Sequence, residues 1–194
     1  MNNSNTVKRT TFYLLVLSAV FFIASLSFAA DWSITVDDGG PGYTETGNWK
    51  SWVFPPAVGG SYRYLTREIA GVANRKGKAY WATVVPETGI YKVEVSYRLT
   101  ENRTYDADFF VHDGEGNSHH FVVNQRSHDT KGYLTWKTLG NFQWKANQKA
   151  LVELDGTDDT LSDEADAVRW TLVEIIQPES TLPPVLDTLL LNDK

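Results

Sequence analysis

The chain has 194 residues, a formal net charge of −6 and no cysteine. The acidic balance argues against nucleic acid and anionic lipid as partners, because both require a basic protein face. Disulfides are excluded, and the length predicts one domain whose core is large enough to be stable without them.

The N-terminus has the three-part pattern of a secretory signal helix. Lys8 and Arg9 precede an apolar run at residues 12–28, and the segment ends in Ser27-Phe28-Ala29, with small residues at the two positions that a signal peptidase reads. We expect cleavage after Ala29 and a secreted or periplasmic product with no stable membrane insertion. The alternative is an uncleaved N-terminal anchor, although the run is near the lower limit of about 18 residues for crossing a bilayer.

After the signal, polar and apolar residues alternate, as is typical of half-buried β-strands. In residues 90–97 the odd-numbered positions are all apolar and the even-numbered ones mostly polar. The same alternation, with turn residues between the segments, predicts eight strands: residues 32–37, 79–85, 90–97, 107–112, 119–124, 136–142, 150–154 and 167–176. We expect residues 113–117 to close a hairpin. Since no helical pattern separates the strands, we predict an all-β fold, an antiparallel β-sandwich of the jelly-roll type.

A series of short phrases runs through this part of the chain. In order, they are residues 42–49 (GYTETGNW), 60–64 (GSYRY), 79–81 (AYW), 89–97 (GIYKVEVSY), 102–104 (NRT), 123–125 (VNQ), 136–140 (WKTLG) and 165–170 (ADAVRW). Together they resemble the golvesin C-terminal-like domain, which is also known from the end of xanthan lyases. The resemblance covers residues 31–174. It implies a secreted β-sandwich module of the carbohydrate-binding kind, with no catalytic machinery of its own.

Aromatic residues supply the first candidates for ligand binding. All seven tryptophans follow the signal, and this is more than one core commonly needs, so we expect at least one to be exposed. Trp52 and Tyr62 border the Pro- and Gly-rich loop at residues 55–60. We expect both rings to be exposed and to stack on the apolar face of a sugar ring.

Two polar phrases supply the other candidates. Asn102 and Arg103 lie between two strands, and Asn124 and Gln125 end the strand after the next turn. We expect the phrases to meet at one end of the sandwich, where the guanidinium and the amides can hydrogen-bond to sugar hydroxyls. The alternative is a network that ties the loops to one another.

The acidic segment at residues 155–166 is the best candidate for a cation site, because Ca²⁺ binds six to eight oxygen ligands. The predicted calcium ligands are Asp155, Asp158, Asp159 and Asp163. Asp37 and Asp38 can contribute if the first and last strands pair. The alternative is a solvated acidic loop that binds no ion.

Asp166 lies among small apolar residues at the start of the last strand. A carboxylate in that setting is either exposed or accepts hydrogen bonds from backbone N–H groups of a neighbouring loop. We expect the second arrangement, with the loop at residues 44–49 as the partner.

The chain ends in a Pro-containing tail at residues 177–194, so the predicted organisation is a signal peptide at 1–29, a β-sandwich at 30–176 and this tail. Leu186, Leu189 and Leu190 fall on one face of a short helix. The tail can dock on its own domain, stay disordered or bind a protein partner through these leucines.

Motifs of catalysis are lacking in the sequence: there is no Gly-x-Ser-x-Gly elbow, no His-Glu-x-x-His helix and no cysteine nucleophile. We therefore predict a non-catalytic module that binds polysaccharide or another extracellular surface polymer. One alternative is a structural or adhesive module that binds proteins. Another is a polysaccharide-active hydrolase or lyase whose paired acids escape recognition.

Overall fold

The computed structural model describes residues 32–66, 76–157 and 161–177. The predicted signal helix, the three leucines of the tail, Asp158 and Asp159 lie outside these ranges. Within them, no helix has the length and the hydropathy that a membrane crossing requires.

The described residues form an all-β structure, which confirms the predicted class. The strands are β1 (Ser33–Asp37), β2 (Tyr43–Gly47), β3 (Lys50–Val53), β4 (Ser61–Tyr64), β5 (Gly77–Val84), β6 (Gly89–Leu99), β7 (Ala107–His112), β8 (Ser118–Val123), β9 (Tyr133–Trp144), β10 (Lys149–Asp155), β11 (Glu164–Ala165) and β12 (Ala167–Ile175), with a 3₁₀ turn at Val58–Gly60. All eight predicted strands are present near their predicted bounds. Strands β2, β3, β4 and β11 were not predicted.

The strands form three antiparallel sheets. The first has the order β1-β12-β6-β9, the second β2-β5-β10-β7-β8, and the third, which is small, β11-β4-β3. Pairing of β1 with β12 joins the two ends of the domain, with Val36 opposite Val168. Asp113 accepts hydrogen bonds from the backbone N–H groups of Glu115 and Asn117, and so closes the predicted hairpin between β7 and β8.

The core lies between the four-stranded and five-stranded sheets. On β6 the predicted apolar face, which runs from Tyr91 to Tyr97, is buried. Large aromatic rings fill the centre: Trp81 stacks against Phe109 at 6.4 Å, and Tyr91 meets Trp144 edge-on at 5.9 Å. Because such rings bury 150–250 Å² each, they supply much of the hydrophobic stabilisation.

The three-stranded sheet lies at one end of the sandwich. Two isolated bridges connect neighbouring loops there, between Thr100 and Arg126 and between Arg103 and Ser162. The backbone N–H of Leu65 also donates to the carbonyl of Asp163. We call this region the loop end; it consists of residues 50–66, 100–106, 124–132 and 161–164.

Candidate functional site

The two polar phrases of the sequence lie side by side at the loop end, as predicted. The backbone N–H of Gln125 donates to the carbonyl of Thr104 at 3.1 Å, and the N–H of Thr104 donates to the carbonyl of Ser162 at 3.0 Å. Main-chain hydrogen bonds alone therefore join the three loops that contain Thr104, Gln125 and Ser162.

Arg103 is the centre of a side-chain network within these loops. It is 4% exposed, and its Nε donates to Glu164 Oε2 at 2.6 Å. Its Nη2 donates to the Tyr62 hydroxyl at 2.7 Å, and its Nη1 donates to Asn102 Oδ1 at 2.8 Å. The guanidinium is thus occupied by partners within the protein.

Glu164, on β11, has no exposed surface, and its Oε1 accepts a hydrogen bond from the backbone N–H of Arg98. Burial raises the pKa of this carboxyl to about 7, against the attraction of Arg103. The amide of Gln125 bonds to the main chain of Glu164 in both directions, at 2.8 Å each. The Gln125 side chain thus satisfies the backbone N–H and C=O of Glu164, which a neighbouring strand would otherwise do for β11.

The prediction that the Tyr62 ring is exposed is wrong, because Tyr62 is only 2% exposed. Phe54 and Tyr64 pack edge-on against it, and the guanidinium of Arg103 lies over its ring at 5.3 Å. The predicted ligand contacts of Arg103 and Gln125 are corrected in the same way, since both side chains are buried in the network that ties the loops. A buried charge or amide requires partners, and here the protein supplies them.

The other predicted residues reach the surface of the loop end. Asn102 and Asn124 are exposed, and Asn124 Oδ1 accepts from the backbone N–H of Arg126 at 2.8 Å. Trp52 is 54% exposed on the edge strand β3, directly opposite the buried Tyr62 on β4. The expectation of at least one exposed tryptophan is thus met.

Two further aromatic residues, one in the loop end and one directly after it, are exposed and were not predicted as ligand contacts. They are Tyr105, whose ring lies under the guanidinium of Arg126 at 4.7 Å, and Tyr133, the first residue of β9. Arg98 links this side to the Trp52 side, because it donates to the Tyr62 hydroxyl at 3.1 Å and to the carbonyl of Lys131. The position of Tyr105 and Tyr133 beside turns was the sequence feature that could have indicated their exposure.

A second candidate surface is the outer face of the five-stranded sheet. It holds an open concavity of about 490 Å³, lined by Gly42, Tyr43, Thr44, Tyr80, Ala82, Thr83, Val84, Lys149 and Leu151. The sequence feature that could have indicated this surface is that β5 has apolar residues on both faces. A strand with one face in solvent usually has polar residues on that face.

The predicted calcium segment is only partly described. Asp155 accepts from Thr157 Oγ1 at 2.7 Å and pairs with Lys78 Nζ at 2.7 Å, while Asp163 is fully buried. Because Asp158 and Asp159 lie outside the described residues, calcium binding by this segment stays a prediction.

Asp166 is fully buried, in agreement with a structural role, but its partner is not the predicted loop at residues 44–49. Its Oδ2 accepts from Ser96 Oγ and, at 3.5 Å, from the backbone N–H of Val58. The 3₁₀ turn that contains Val58 lies over this carboxylate, and nothing in the local sequence pattern revealed that packing.

Comparison with known proteins agrees with this fold. The family model of the golvesin C-terminal domain matches residues 34–172. No curated protein matches the sequence. Among solved structures, the chain is similar to a Paenibacillus xanthan lyase, with a TM-score of 0.62 and 21% identity over 75% of this chain and 13% of the lyase.

Two carbohydrate-binding modules are also similar, at lower scores. One is the family 35 module of Clostridium thermocellum, with a TM-score of 0.49 and 15% identity over 71% of this chain and 98% of the module. The other is the CBM36-1 domain of a xylanase from the hindgut metagenome of Trinervitermes trinervoides, with a TM-score of 0.47 and 13% identity over 72% and 96%. The likeness to xanthan lyase shows a shared fold, and this chain spans only 13% of that enzyme. The family match covers most of the chain, which therefore belongs to the golvesin C-terminal domain family.

Proposed function

We propose that this domain binds polysaccharide, or another extracellular polymer, at the loop end and catalyses no reaction on it. The observation that carries the proposal is Trp52, which remains 54% exposed on a strand of only four residues. An exposed tryptophan presents a large, flat apolar surface to solvent, and a sugar ring can stack on it.

The buried network gives Trp52 a rigid support. Its neighbour across the ladder, Tyr62, is held through its hydroxyl by Arg98 and Arg103. A stacking residue on a fixed framework loses little conformational entropy when a ligand binds, which favours affinity. The amides of Asn102 and Asn124, at the rim of the same region, can hydrogen-bond to hydroxyl groups of the ligand.

Charged groups at the loop end also fit a binding role better than a catalytic one. Glu164 is buried and paired with Arg103, and so faces no cleft. Two concavities of the described surface also lack a pair of carboxylates. The one on the five-stranded sheet has no acidic residue, and the one lined by residues 87–88, 146 and 175–177 has only Glu87. Hydrolysis of a glycosidic bond needs two acids that face each other across the substrate.

Export belongs to this proposal, because an extracellular polymer is accessible only to an exported protein. The basic start, the apolar run and Ser27-Phe28-Ala29 support cleavage after Ala29. Intact-mass spectrometry of the protein recovered outside the cytoplasm should give an N-terminus at Ala30. A full-length product confined to the cytoplasm would contradict export.

The direct test is retention of the purified protein on a panel of insoluble and immobilised polysaccharides, with xanthan included because a xanthan lyase has a similar fold. We expect retention on at least one polymer and its release by the soluble form of that polymer. The same samples should show no new reducing ends or unsaturated products. Absence of retention across the panel contradicts binding, and release of products contradicts the non-catalytic assignment.

A further inference from the structure

Three carboxylates meet where the first and last strands of the domain pair. Asp37 ends β1 and lies opposite Ala167 in the ladder, while the backbone N–H of Asp38 donates to the carbonyl of Asp166 at 2.8 Å. One carboxylate oxygen from each of Asp37, Asp38 and Asp166 lies within 4.8 Å of the others. In the described part of the chain, this is the only group of three or more side chains that could share a metal ion.

These carboxylates lack the partners that buried acids require. Asp166 is fully buried and Asp38 is 9% exposed, yet the Oδ1 atoms of Asp37, Asp38 and Asp166 are all buried without a hydrogen-bond donor. The other oxygen of Asp166 accepts from Ser96 and Val58, and the Asp37 carboxylate also interacts with the backbone N–H and the side chain of Asp38. A native structure seldom leaves three such atoms unsatisfied in one place, unless an ion or ordered water occupies the site.

The nearby guanidinium of Arg63 does not neutralise these three carboxylates. Arg63 is the cation that acts on Asp38, but its guanidinium is bound to Glu45 and to the carbonyl of Trp49. Carboxylates that lie within 4.8 Å of one another repel when they are ionised, and burial weakens the solvent screening that would reduce this repulsion. A cation bound between them would remove the repulsion.

We propose that Asp37, Asp38 and Asp166 bind one Ca²⁺ ion. All three donors are carboxylate oxygens, and a set without imidazole or thiolate favours hard cations over transition metals. Ligands of Ca²⁺ can lie up to about 5 Å apart, whereas Mg²⁺ demands near-ideal octahedral geometry with ligands at most about 4.2 Å apart. Water would complete the coordination.

The ion would act as a clamp on the fold. The Val58–Gly60 turn covers the group, since the N–H of Val58 bonds to Asp166 and a methyl added at Gly59 would collide with the Asp37 carboxylate. Gly59 has a φ of 69°, which favours glycine at this place. Ca²⁺ would thus connect the end of β1, the start of β12 and the turn between β3 and β4.

The test is titration of the EDTA-treated protein with CaCl₂ by calorimetry, together with thermal melts. We expect one site per chain and, at about 100 times the dissociation constant, a rise in Tm of about 5–10 °C. Asp37→Asn and Asp38→Asn keep the side-chain shape and should each weaken binding at least about tenfold, since each removes a charged ligand. In EDTA, both variants should melt at or above the wild-type temperature, because they relieve repulsion between the carboxylates.

The other acidic segment provides the matched control. Asp155→Asn, Asp158→Asn and Asp159→Asn should retain the full calcium response. The proposal is overturned if about 10 mM CaCl₂, enough for a weak extracellular site, gives neither heat nor a change in Tm. It is also overturned if the response is lost in the control variants and kept in Asp38→Asn. An equal response to MgCl₂ would overturn the assignment to calcium. None of these outcomes depends on polysaccharide binding.

Discussion

Replacing Arg103 by methionine should lower the free energy of unfolding by about 3–5 kcal/mol, because it leaves the buried carboxyl of Glu164 without its partner. Glu164 would keep only the hydrogen bond from the backbone of Arg98, and the Tyr62 hydroxyl would lose one of its two guanidinium donors. Urea denaturation followed by tryptophan fluorescence measures the change. For a domain of this size, it corresponds to a fall in Tm of about 6–20 °C.

Two further variants separate the loss of the charge pair from a general effect of losing an arginine. Arg126→Met removes a more exposed guanidinium that stacks on Tyr105, and should cost about 1 kcal/mol or less. Combining Arg103→Met with Glu164→Gln replaces the unpaired carboxyl by a neutral amide, so the double variant should regain at least about 1 kcal/mol relative to Arg103→Met. Wild-type stability of Arg103→Met would show that the pair is not buried in solution.

Replacing Trp52 by alanine should weaken binding to any retained polysaccharide at least about tenfold, or about 1.4 kcal/mol. Stacking on a sugar ring requires the flat, exposed indole, and alanine removes nearly all of that contact surface. The free energy of unfolding should change by less than about 1 kcal/mol, because the side chain is 54% exposed and lies on an edge strand. Calorimetry with a soluble oligosaccharide of the polymer measures the affinity.

Two control variants locate the binding surface. Trp136→Ala removes another partly exposed tryptophan, which lies on β9 under the guanidinium of Arg169 at 4.2 Å, and should leave affinity unchanged. Tyr80→Ala alters the concavity on the outer face of the five-stranded sheet. If Tyr80→Ala abolishes binding and Trp52→Ala does not, the ligand occupies that face and the loop-end assignment is wrong.

The strands that were predicted and those that were missed differ in their burial pattern. In β6, alternation identified the buried face from Tyr91 to Tyr97, because one side of the strand packs on the core along its whole length. In β3 all four residues are exposed, so there is no alternation to detect. β11 has only two residues, both buried, and its position depends on Gln125 and Tyr64 from distant parts of the chain.

The candidate site shows the same division. The meeting of the two polar phrases could be predicted, since consecutive antiparallel strands bring their ends together. The burial of Tyr62, Arg103 and Gln125 could not be predicted. Tyr62 borders a Pro- and Gly-rich loop, which suggested exposure, yet Arg98 and Arg103 reach it from the end of β6 and the loop that follows.

Sequence alone determined the all-β class, the hairpin at residues 113–117, the inward face of the long strands and the resemblance to the golvesin C-terminal domain. These depend on period-two alternation, on turn residues and on short phrases, all of which are local. Tertiary structure alone decided that Tyr62, Arg103 and Gln125 are framework, and that Asp37 and Asp38 meet Asp166. The physical reason is that burial of a polar side chain is set by partners far away in the chain, and a local pattern carries no record of them.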